Sequence, residues 1–285
     1  MRESLQACVR DLFDPPPIAR RTLSRGVGGE VLRVTLASGE DRVVKLSPGE
    51  LDLRVEARML DLLRAAGLPT PRVHRATHDA LVMDAVDTGG SSGAGVERHA
   101  AELLAALHDH TSPDGTYGLH EANTIGPLPQ DNTPGRGWVE FYGTRRLRTM
   151  ADLAARRGSL LSSPRARLER LVGRLGEFIP DTPRPGLVHG DVWGGNVLCR
   201  AGRVAAFIDP APYYADPEVE LAFITMFGTF GQEFFREYGA RRPIDAGFWD
   251  SRRDVYLLYP VLVHVALFPG RYDAHLDETL TRLGF

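Results

Sequence analysis

The most informative part of the chain reads Leu187-Val188-His189-Gly190-Asp191-Val192-Trp193-Gly194-Gly195-Asn196-Val197-Leu198. In this stretch an aspartate precedes an asparagine by five residues. A carboxylate and an amide oxygen at this spacing suit phosphoryl transfer, the first by accepting the proton of a hydroxyl group and the second by binding magnesium. We therefore predict Asp191 as the catalytic base and Asn196 as a ligand of Mg²⁺.

A short predicted strand, 203–208, delivers a second carboxylate, Asp209, 18 residues after Asp191. An acidic residue at the tip of such a strand is placed to hold the magnesium ion that bridges the β- and γ-phosphates of ATP. Phosphoryl transfer needs little covalent help from the protein, so a base, a metal-binding pair and a phosphate clamp form most of the machinery. We predict Asp209 as the second metal ligand and expect the clamp upstream.

The clamp is predicted at Lys45, the only lysine in a chain with 33 arginines. Lys45 lies in an apolar run, and its ammonium is a compact point charge that fits a narrow phosphate site better than a planar guanidinium. Upstream, a glycine-rich turn between two predicted strands allows backbone amides to approach a polyphosphate, although an ordinary hairpin turn would look the same. The glycines concerned are Gly26, Gly28 and Gly29.

The glycine turn and the lysine together resemble the amino lobe of protein kinases. That resemblance implies a helix after the third strand with an acidic residue that holds Lys45, and the helical pattern of residues 51–63 favours Glu56. The rival acidic residues, interpreted as solvated helix charges, are Glu50, Asp52 and Asp61. The resemblance also implies that the strand end before the hinge binds the nucleotide, with an aspartate where glutamate is expected. This strand end comprises Met83, Asp84 and Ala85.

The pattern along the chain predicts an α+β fold with two lobes, of the protein-kinase-like type. A small antiparallel β-rich lobe, residues 1–86, is expected to bind the nucleotide, and a larger, mainly helical lobe, residues 87–285, to carry catalysis and substrate binding. The small polar segment 87–95 is interpreted as the hinge, and a cleft between two lobes is a usual place for a ligand. The predicted helices of the larger lobe are 96–108, 138–157, 164–179, 217–238, 248–268 and 273–283.

Composition restricts the kind of partner. The formal charge of −3 and the isoelectric point near 6.3 argue against nucleic acid or an anionic membrane as the main partner. Cys8 and Cys199 lie far apart and offer neither a disulfide framework nor a metal spacing. The amino terminus lacks the apolar core of a signal peptide, and the longest apolar run, 255–268, is too short to span a membrane. We expect a cytoplasmic protein.

His-Gly-Asp before the base and Ile-Asp-Pro at the second carboxylate resemble the aminoglycoside-phosphotransferase-like kinases of small molecules. Within them, Trp193 and the flanking residues are similar to the fructosamine (ketosamine-3-) kinase family. The other stretches that carry this resemblance are 123–132, 138–147, 208–218, 226–228 and 264–268. The resemblance implies an ATP- and Mg²⁺-dependent kinase that phosphorylates the sugar 3-hydroxyl of ketosamines, after which the adduct breaks down and frees the amine. Some relatives carry a cysteine in the glycine loop, and this chain has none there.

Five residues are candidates for binding the acceptor. Trp193 could stack on a sugar or wall the acceptor site, or could be a packing residue of the loop. Asp216, Glu218 and the nearby Glu220 could receive the cationic amine or simply favour the helix dipole, and for Asp216 a structural role as a brace of the catalytic loop is favoured. His264 on the apolar helix is either a core histidine or part of the cleft. His189 is expected to orient the loop by hydrogen bonds.

Two other functions are weighed against the ketosamine kinase. One is a kinase of the same fold acting on an aminoglycoside, choline or a similar alcohol. The other is a nucleotide-binding scaffold without activity, which the intact Lys45, Asp191, Asn196 and Asp209 argue against. The sequence leaves open whether the acceptor is a glycated protein lysine, a free amino acid adduct or a polyamine adduct, and it leaves the oligomeric state open.

Overall fold

The computed structural model describes residues 9, 11–26, 29–47, 49, 51–89 and 93–285. Near the amino terminus, five strands form one antiparallel sheet. They are β1 (Ala19–Gly26), β2 (Gly29–Thr35), β3 (Asp41–Leu46), β4 (Val73–Ala76) and β5 (Ala80–Asp84). Their order across the sheet is β1-β2-β3-β5-β4. The strand β3, which carries Lys45, therefore lies in the middle of the sheet, with neighbours on both sides.

One described helix of this region, α1 (Leu53–Ala65), packs on the sheet. It begins where the Asp52 carboxylate accepts a hydrogen bond from the Arg54 amide at 3.0 Å, which satisfies one of the free donors of the first turn. Its apolar face, including Leu60, is buried against strand residues such as Leu81. Asp52 is thus a helix cap whose carboxylate remains in contact with solvent.

The rest of the chain is mainly helical and holds the largest hydrophobic cluster. Its helices are α2 (Ala94–His108), α3 (Trp138–Phe141), α4 (Thr149–Arg156), α5 (Ser162–Val172), α6 (Glu218–Met226), α7 (Gln232–Arg241), α8 (Arg253–Leu267) and α9 (Asp273–Arg282). A π-helical segment, Tyr142–Arg148, joins α3 to α4. The single helix predicted over 217–238 is wrong. Gly228, at φ +58°, adopts a left-handed conformation that favours glycine and separates α6 from α7.

Three two-stranded ladders carry the polar residues of the predicted site. They are β6 (Asn123–Ile125) with β7 (Leu128–Gln130), β8 (Gly186–Val188) with β11 (Tyr213–Ala215), and β9 (Val197–Arg200) with β10 (Arg203–Phe207). Asp191 follows β8, Asn196 directly precedes β9, and Asp209 follows β10. The ladders therefore bring the ends of distant segments to one place.

The segment predicted as the hinge is bonded to the β9–β10 ladder. The Gly89 amide donates to the Cys199 carbonyl at 2.9 Å, and the Gly89 carbonyl accepts from the Ala201 amide at 3.0 Å. Residues 90–92 of this segment lie outside the described part of the chain. A domain boundary between residues 86 and 87 stays a prediction. Across the described residues, no helix has the length and apolar character needed to cross a membrane.

Candidate active site

Lys45 binds two carboxylates. Its ammonium donates to Glu56 Oε2 and to Asp209 Oδ1, both at 2.7 Å. Burial alone would lower the pKa of Lys45, but the two carboxylates outweigh it and raise that pKa above its ordinary value. Burial raises the pKa of Glu56, and the Lys45 charge partly offsets this. The expected Lys45–Glu56 pair is confirmed, and Asp209 shares the same ammonium.

Asp209 reaches this cluster through an unusual backbone conformation. It follows β10 with φ of +52°, one of two non-glycine residues with positive φ in the described chain. L-residues seldom adopt this region, and they do so mainly where the surroundings impose it, often at functional sites. Burial opposes the ionisation of Asp209, but the Lys45 ammonium outweighs burial and lowers the pKa of Asp209. The structure thus holds an ionised carboxylate at the end of this strand.

Asp191 and Asn196 contact each other directly. The Asn196 amide nitrogen donates to the backbone carbonyl and to Oδ2 of Asp191, each at 2.9 Å. This orientation leaves the side-chain oxygen of Asn196, Oδ1, without a hydrogen bond from the described residues, so that it can face a cation. Burial, together with the nearby negative charge of Asp209, raises the pKa of Asp191 to about 7. A base with a pKa near the working pH is well matched to proton transfer.

The catalytic loop is braced by Glu220, whose side chain is fully buried. Glu220 accepts hydrogen bonds from the Gly190 amide at 2.7 Å, the His189 amide at 3.2 Å and the His108 ring at 2.9 Å. The interpretation of Asp216 as the brace is wrong, because its carboxylate is used by the Tyr256 hydroxyl at 2.7 Å and a backbone amide of α6.

Two further features of the loop depend on local backbone geometry. The Asp191 amide donates to Nδ1 of His189 at 3.2 Å, which confirms that His189 orients the loop. Gly190 has φ of +85°, and a Cβ atom there would lie 2.1 Å from the Ala211 carbonyl oxygen. Only glycine fits a backbone that passes this close to the segment after Asp209.

The predicted nucleotide contacts are placed by the sheet. Gly26 and Gly29 face each other at the ends of β1 and β2, while Gly28 lies outside the described residues. At Gly29, with φ of +111°, a Cβ atom would lie 1.9 Å from the Leu46 carbonyl oxygen, next to Lys45. The strand end predicted to bind the nucleotide closes β5. In it Met83 is buried, the Asp84 carboxylate lies 2.6 Å from the His74 ring, and Ala85 is half-buried.

Two cavities meet at the catalytic loop. The smaller, about 490 Å³, is lined by Lys45, Glu56, Asn196 and Asp209 among others. The larger, about 900 Å³, has a mostly aromatic and aliphatic wall that includes Tyr213, Tyr259, Phe227 and His264. Gly126, Asp191 and Trp193 line both cavities. The predicted base therefore lies where a phosphate donor on one side can approach an acceptor on the other.

Trp193 and His264 both face the larger cavity. The Trp193 side chain covers Gly195, where a Cβ atom would lie 2.3 Å from the indole, and the residue remains 43% exposed. Its ring centroid is 6.3 Å from that of Phe227, which in turn lies 5.3 Å from His264. Burial lowers the pKa of His264, and its Nδ1 lies 2.7 Å from the Pro260 carbonyl. His264 is therefore a neutral wall residue and not an enclosed core residue.

Asp216 and Glu218 do not line either of these two cavities. Both carboxylates border a separate hollow of about 360 Å³ next to α7. Arg252 binds Glu218 through two guanidinium nitrogens, at 2.6 and 2.8 Å. The acidic residue of α6 that reaches the larger cavity is Glu220. The expected contact between the acceptor and these two carboxylates is thus not supported by their positions.

A buried polar network was not assigned any role from the sequence. Asn123 donates to the Pro212 carbonyl at 2.7 Å and accepts from Gln130 at 3.0 Å and from Asn132 at 2.6 Å. Arg146 then donates to Asn132 Oδ1 at 2.8 Å. The sequence did contain a signal for this network: amide side chains lie among apolar residues in 123–132, and amides that become buried need hydrogen-bond partners. The network fixes the β6–β7 hairpin against the segment after Asp209.

This fold and this site define an ATP-dependent phosphotransferase with a protein-kinase-like architecture. The family model for fructosamine kinases matches residues 29–283. The chain therefore belongs to the fructosamine kinase family. A protein named as a probable ketoamine kinase, from Synechocystis sp., is 32% identical over 253 residues, which is 86% of this chain and 84% of that protein. The chloroplastic protein-ribulosamine 3-kinase of Arabidopsis thaliana is 32% identical over 198 residues, 67% of this chain and 58% of that protein.

Solved structures give the same answer about the fold. A structure named as a fructosamine-3-kinase, from Thermobifida fusca, superposes with a TM-score of 0.86 at 32% identity and covers 98% of both chains. An aminoglycoside phosphotransferase solved with ADP and hygromycin B has a TM-score of 0.66 at 17% identity, over 99% of this chain and 96% of that one. The second likeness shows the fold alone.

Proposed function

We propose that this chain transfers the γ-phosphoryl group of ATP to the sugar 3-hydroxyl of a ketosamine. The observation that carries the proposal is the position of Asp191, with Trp193, at the junction of the two cavities. In the proposed reaction, the hydroxyl proton passes to the Asp191 carboxylate and the hydroxyl oxygen bonds to the γ-phosphorus. The bond between that phosphorus and the departing ADP oxygen breaks, and ADP leaves.

The smaller cavity is assigned to the phosphates. Lys45, held by Glu56, would clamp phosphate oxygens as a point charge. Asn196 and Asp209 would hold Mg²⁺, which supplies charge neutralisation of the phosphates when bound. The donor set fits, because Asn196 Oδ1 accepts no hydrogen bond from the described residues and Asp209 is ionised. In the described residues no group of three or more His, Cys, Asp or Glu could hold a metal, and Mg²⁺ typically uses one or two carboxylates plus substrate phosphates.

The remaining assignments rest on the same proposal. Gly26, Gly28 and Gly29 would contact the phosphates through backbone amides, and the end of β5 at residues 83–85 would contact the base of the nucleotide. The larger cavity would take the ketosamine, with Trp193 and His264 in its wall. The acceptor would be a small ketosamine or a glycated protein side chain in the cytoplasm, and nucleic acid and membranes would not be partners.

Product analysis tests this function. The protein would be incubated with ATP, Mg²⁺ and fructose-lysine or ribulose-lysine, and the products would be analysed by phosphorus and proton NMR. Kanamycin and choline would serve as competing acceptor classes, and Asp191→Asn as the matched inactive variant. A phosphate ester on the sugar 3-hydroxyl supports the proposal. Turnover confined to an aminoglycoside or choline would reject the ketosamine and retain the phosphotransferase.

A further inference from the structure

The larger cavity has a continuous aromatic wall that runs away from the catalytic loop. Centroid separations of 6.3 Å, 5.3 Å and 4.7 Å connect Trp193 to Phe227, Phe227 to His264, and His264 to Tyr272. The wall begins two residues after Asp191 and ends next to Arg271, which also lines the cavity. An acceptor with its hydroxyl at Asp191 would therefore extend its amine substituent along this wall.

Few ionisable groups face this cavity. Its described lining includes two carboxylates, Asp191 and Glu220, and one guanidinium, Arg271. Glu220 is already occupied, because both of its oxygens accept hydrogen bonds from backbone amides and one also lies against the His108 ring. The protonated amine of a ketosamine would thus be stabilised by Asp191 and by aromatic faces, which attract cations. This part of the cavity offers no further free carboxylate in the described chain.

Arg271 is the one permanent positive charge in that lining. It lies between α8 and α9, where its amide donates to the Phe268 carbonyl at 3.1 Å. The residue is exposed, and its guanidinium makes no hydrogen bond or ion pair within the described part of the chain. Arg252, in contrast, is occupied by Glu218. A guanidinium with open donors matches a carboxylate, which it binds with two parallel hydrogen bonds.

We infer that Arg271 recognises a carboxylate on the amine part of the acceptor. The preferred substrates are then ketosamine adducts of carboxylate-bearing amines, that is, glycated free amino acids. A glycated lysine within a protein chain has no carboxylate of its own at that end and would lack this contact. The inference rests on the proposed function and adds the chemical class of the amine. The inference depends only on Arg271 at the far end of the aromatic wall, and it leaves the proposed roles of the catalytic-loop residues unchanged.

The test compares two acceptors that differ only in charge. They are the fructose adducts of ε-aminocaproic acid and of its neutral amide, ε-aminocaproamide. The wild-type protein should have a KM for the acid about fivefold lower than for the amide, as expected for a partly exposed ion pair. Arg271→Gln should make the two KM values equal, and Arg271→Lys should restore part of the difference. The exposed Arg170, outside both cavities, provides the control, and Arg170→Gln should keep the wild-type ratio.

The outcomes separate this inference from the proposed function. Equal KM values for acid and amide in the wild-type protein would overturn the role of Arg271 while the ketosamine remains a substrate. A parallel rise of both KM values in Arg271→Gln would also overturn it, since that result indicates a general change of the wall. Failure of both fructose adducts and of the corresponding ribulose adducts to accept phosphate would reject the proposed function itself. Higher salt should reduce the preference for the acid, because exposed ion pairs are screened.

Discussion

Lys45 and Arg146 are both buried cations, and the structure treats them in opposite ways. Lys45 is 9% exposed and donates to two carboxylates at 2.7 Å. Arg146 is fully buried and has no carboxylate partner in the described chain. Its guanidinium donates to the Asn132 side-chain oxygen at 2.8 Å and to the Asp131 carbonyl at 2.5 Å. The guanidinium carbon also lies 3.9 Å from the centroid of the Tyr213 ring.

The difference separates a cation that we propose to act in catalysis, Lys45, from a cation that supports the fold, Arg146. Lys45 and its partner Asp209 both line the smaller cavity, so phosphate and metal would reach this pair from that cavity. Arg146 is enclosed by neutral oxygens and aromatic faces, which stabilise a cation without neutralising it, while its Nε has no hydrogen-bond partner among the described residues. Through Asn132 and Asn123, Arg146 fixes the Pro212 carbonyl, three residues after Asp209. Lys45 could therefore exchange a carboxylate partner for a phosphate, whereas the enclosed Arg146 could not exchange its partners.

The largest expected effect is a loss of kcat on substitution of Asp191, the proposed base next to the Lys45 cluster. Asp191→Asn should lower kcat by roughly 10²–10⁴, the usual contribution of a general base. The fold should persist and gain stability. The pKa of Asp191 is raised from 3.8 to about 7, so between these values the folded state retains a proton that the unfolded state has lost, and stability falls as pH rises. Steady-state kinetics check the loss of kcat. Thermal unfolding at pH 8 checks the gain of stability: the variant should have a higher Tm than the wild type, and a lower Tm would contradict that gain.

The next effect tests whether Lys45 must be a point charge. Lys45→Arg keeps the charge but should lower kcat by about 10²–10³, the range for loss of one preorganised electrostatic contact. Thermal unfolding should show that the variant is folded, and steady-state kinetics should show the loss. Retention of most of the activity would mean that the single lysine is incidental.

The reverse substitution, arginine to lysine, tests the supporting role of Arg146. Arg146→Lys should lower the free energy of unfolding by about 1–3 kcal/mol, because an ammonium cannot reach both oxygens and leaves a buried acceptor unpaired. Urea unfolding measures this value. The adjacent Arg145, whose side chain is 41% exposed and binds Asp131 at 2.9 Å, is the matched control. Arg145→Lys should change stability by less than about 1 kcal/mol. Equal losses of unfolding free energy in the two variants would show that Arg146 supports the fold no more than the exposed Arg145 does.

The smallest predicted effect is the pH dependence of activity. Because the pKa of Asp191 is about 7, kcat/KM should rise with pH through that value. One pH unit below the pKa, roughly a tenth of the carboxyl groups are ionised, so the rate should fall about tenfold. The residual activity of Asp191→Asn should lack this dependence. A wild-type profile that is flat from pH 6 to pH 8 would contradict the assignment.

Local pattern was sufficient for most of the elements, although not for the break at Gly228, and for the residues that the structure brings together around the catalytic loop. The spacing of Asp191, Asn196 and Asp209, the apolar period of α1 and the single lysine are all visible within short segments. Local pattern could not decide which of Glu218, Glu220 and Asp216 braces the catalytic loop, because this depends on how α6 is rotated about its axis. Residues two positions apart on a helix point roughly 200° apart, so Glu218 and Glu220 face opposite sides. Packing against the catalytic loop decides which side each one meets.

The Arg146 network escaped prediction for a related reason. Its partners come from segments that are far apart in the chain, such as the Tyr213 ring and the Tyr259 hydroxyl, which donates to Gln130 at 2.8 Å. An arginine in an amphipathic segment is usually interpreted as exposed, because burying a cation is costly without partners. Only the assembled fold supplies the three rings and two oxygens that make its burial possible.

The hydrogen bonds of Gly89 join the predicted hinge to the β9–β10 ladder. Asn196 and Asp209 terminate the two strands of that ladder, and their segments are also joined by the hydrogen bond from the Ile208 amide to the Asn196 carbonyl at 3.1 Å. A rotation of the sheet about Gly89 would therefore carry Lys45 and Glu56 past a rigid pair. The separation between the two proposed metal ligands would stay constant, and the cleft would widen or narrow along the Lys45–Asp209 distance.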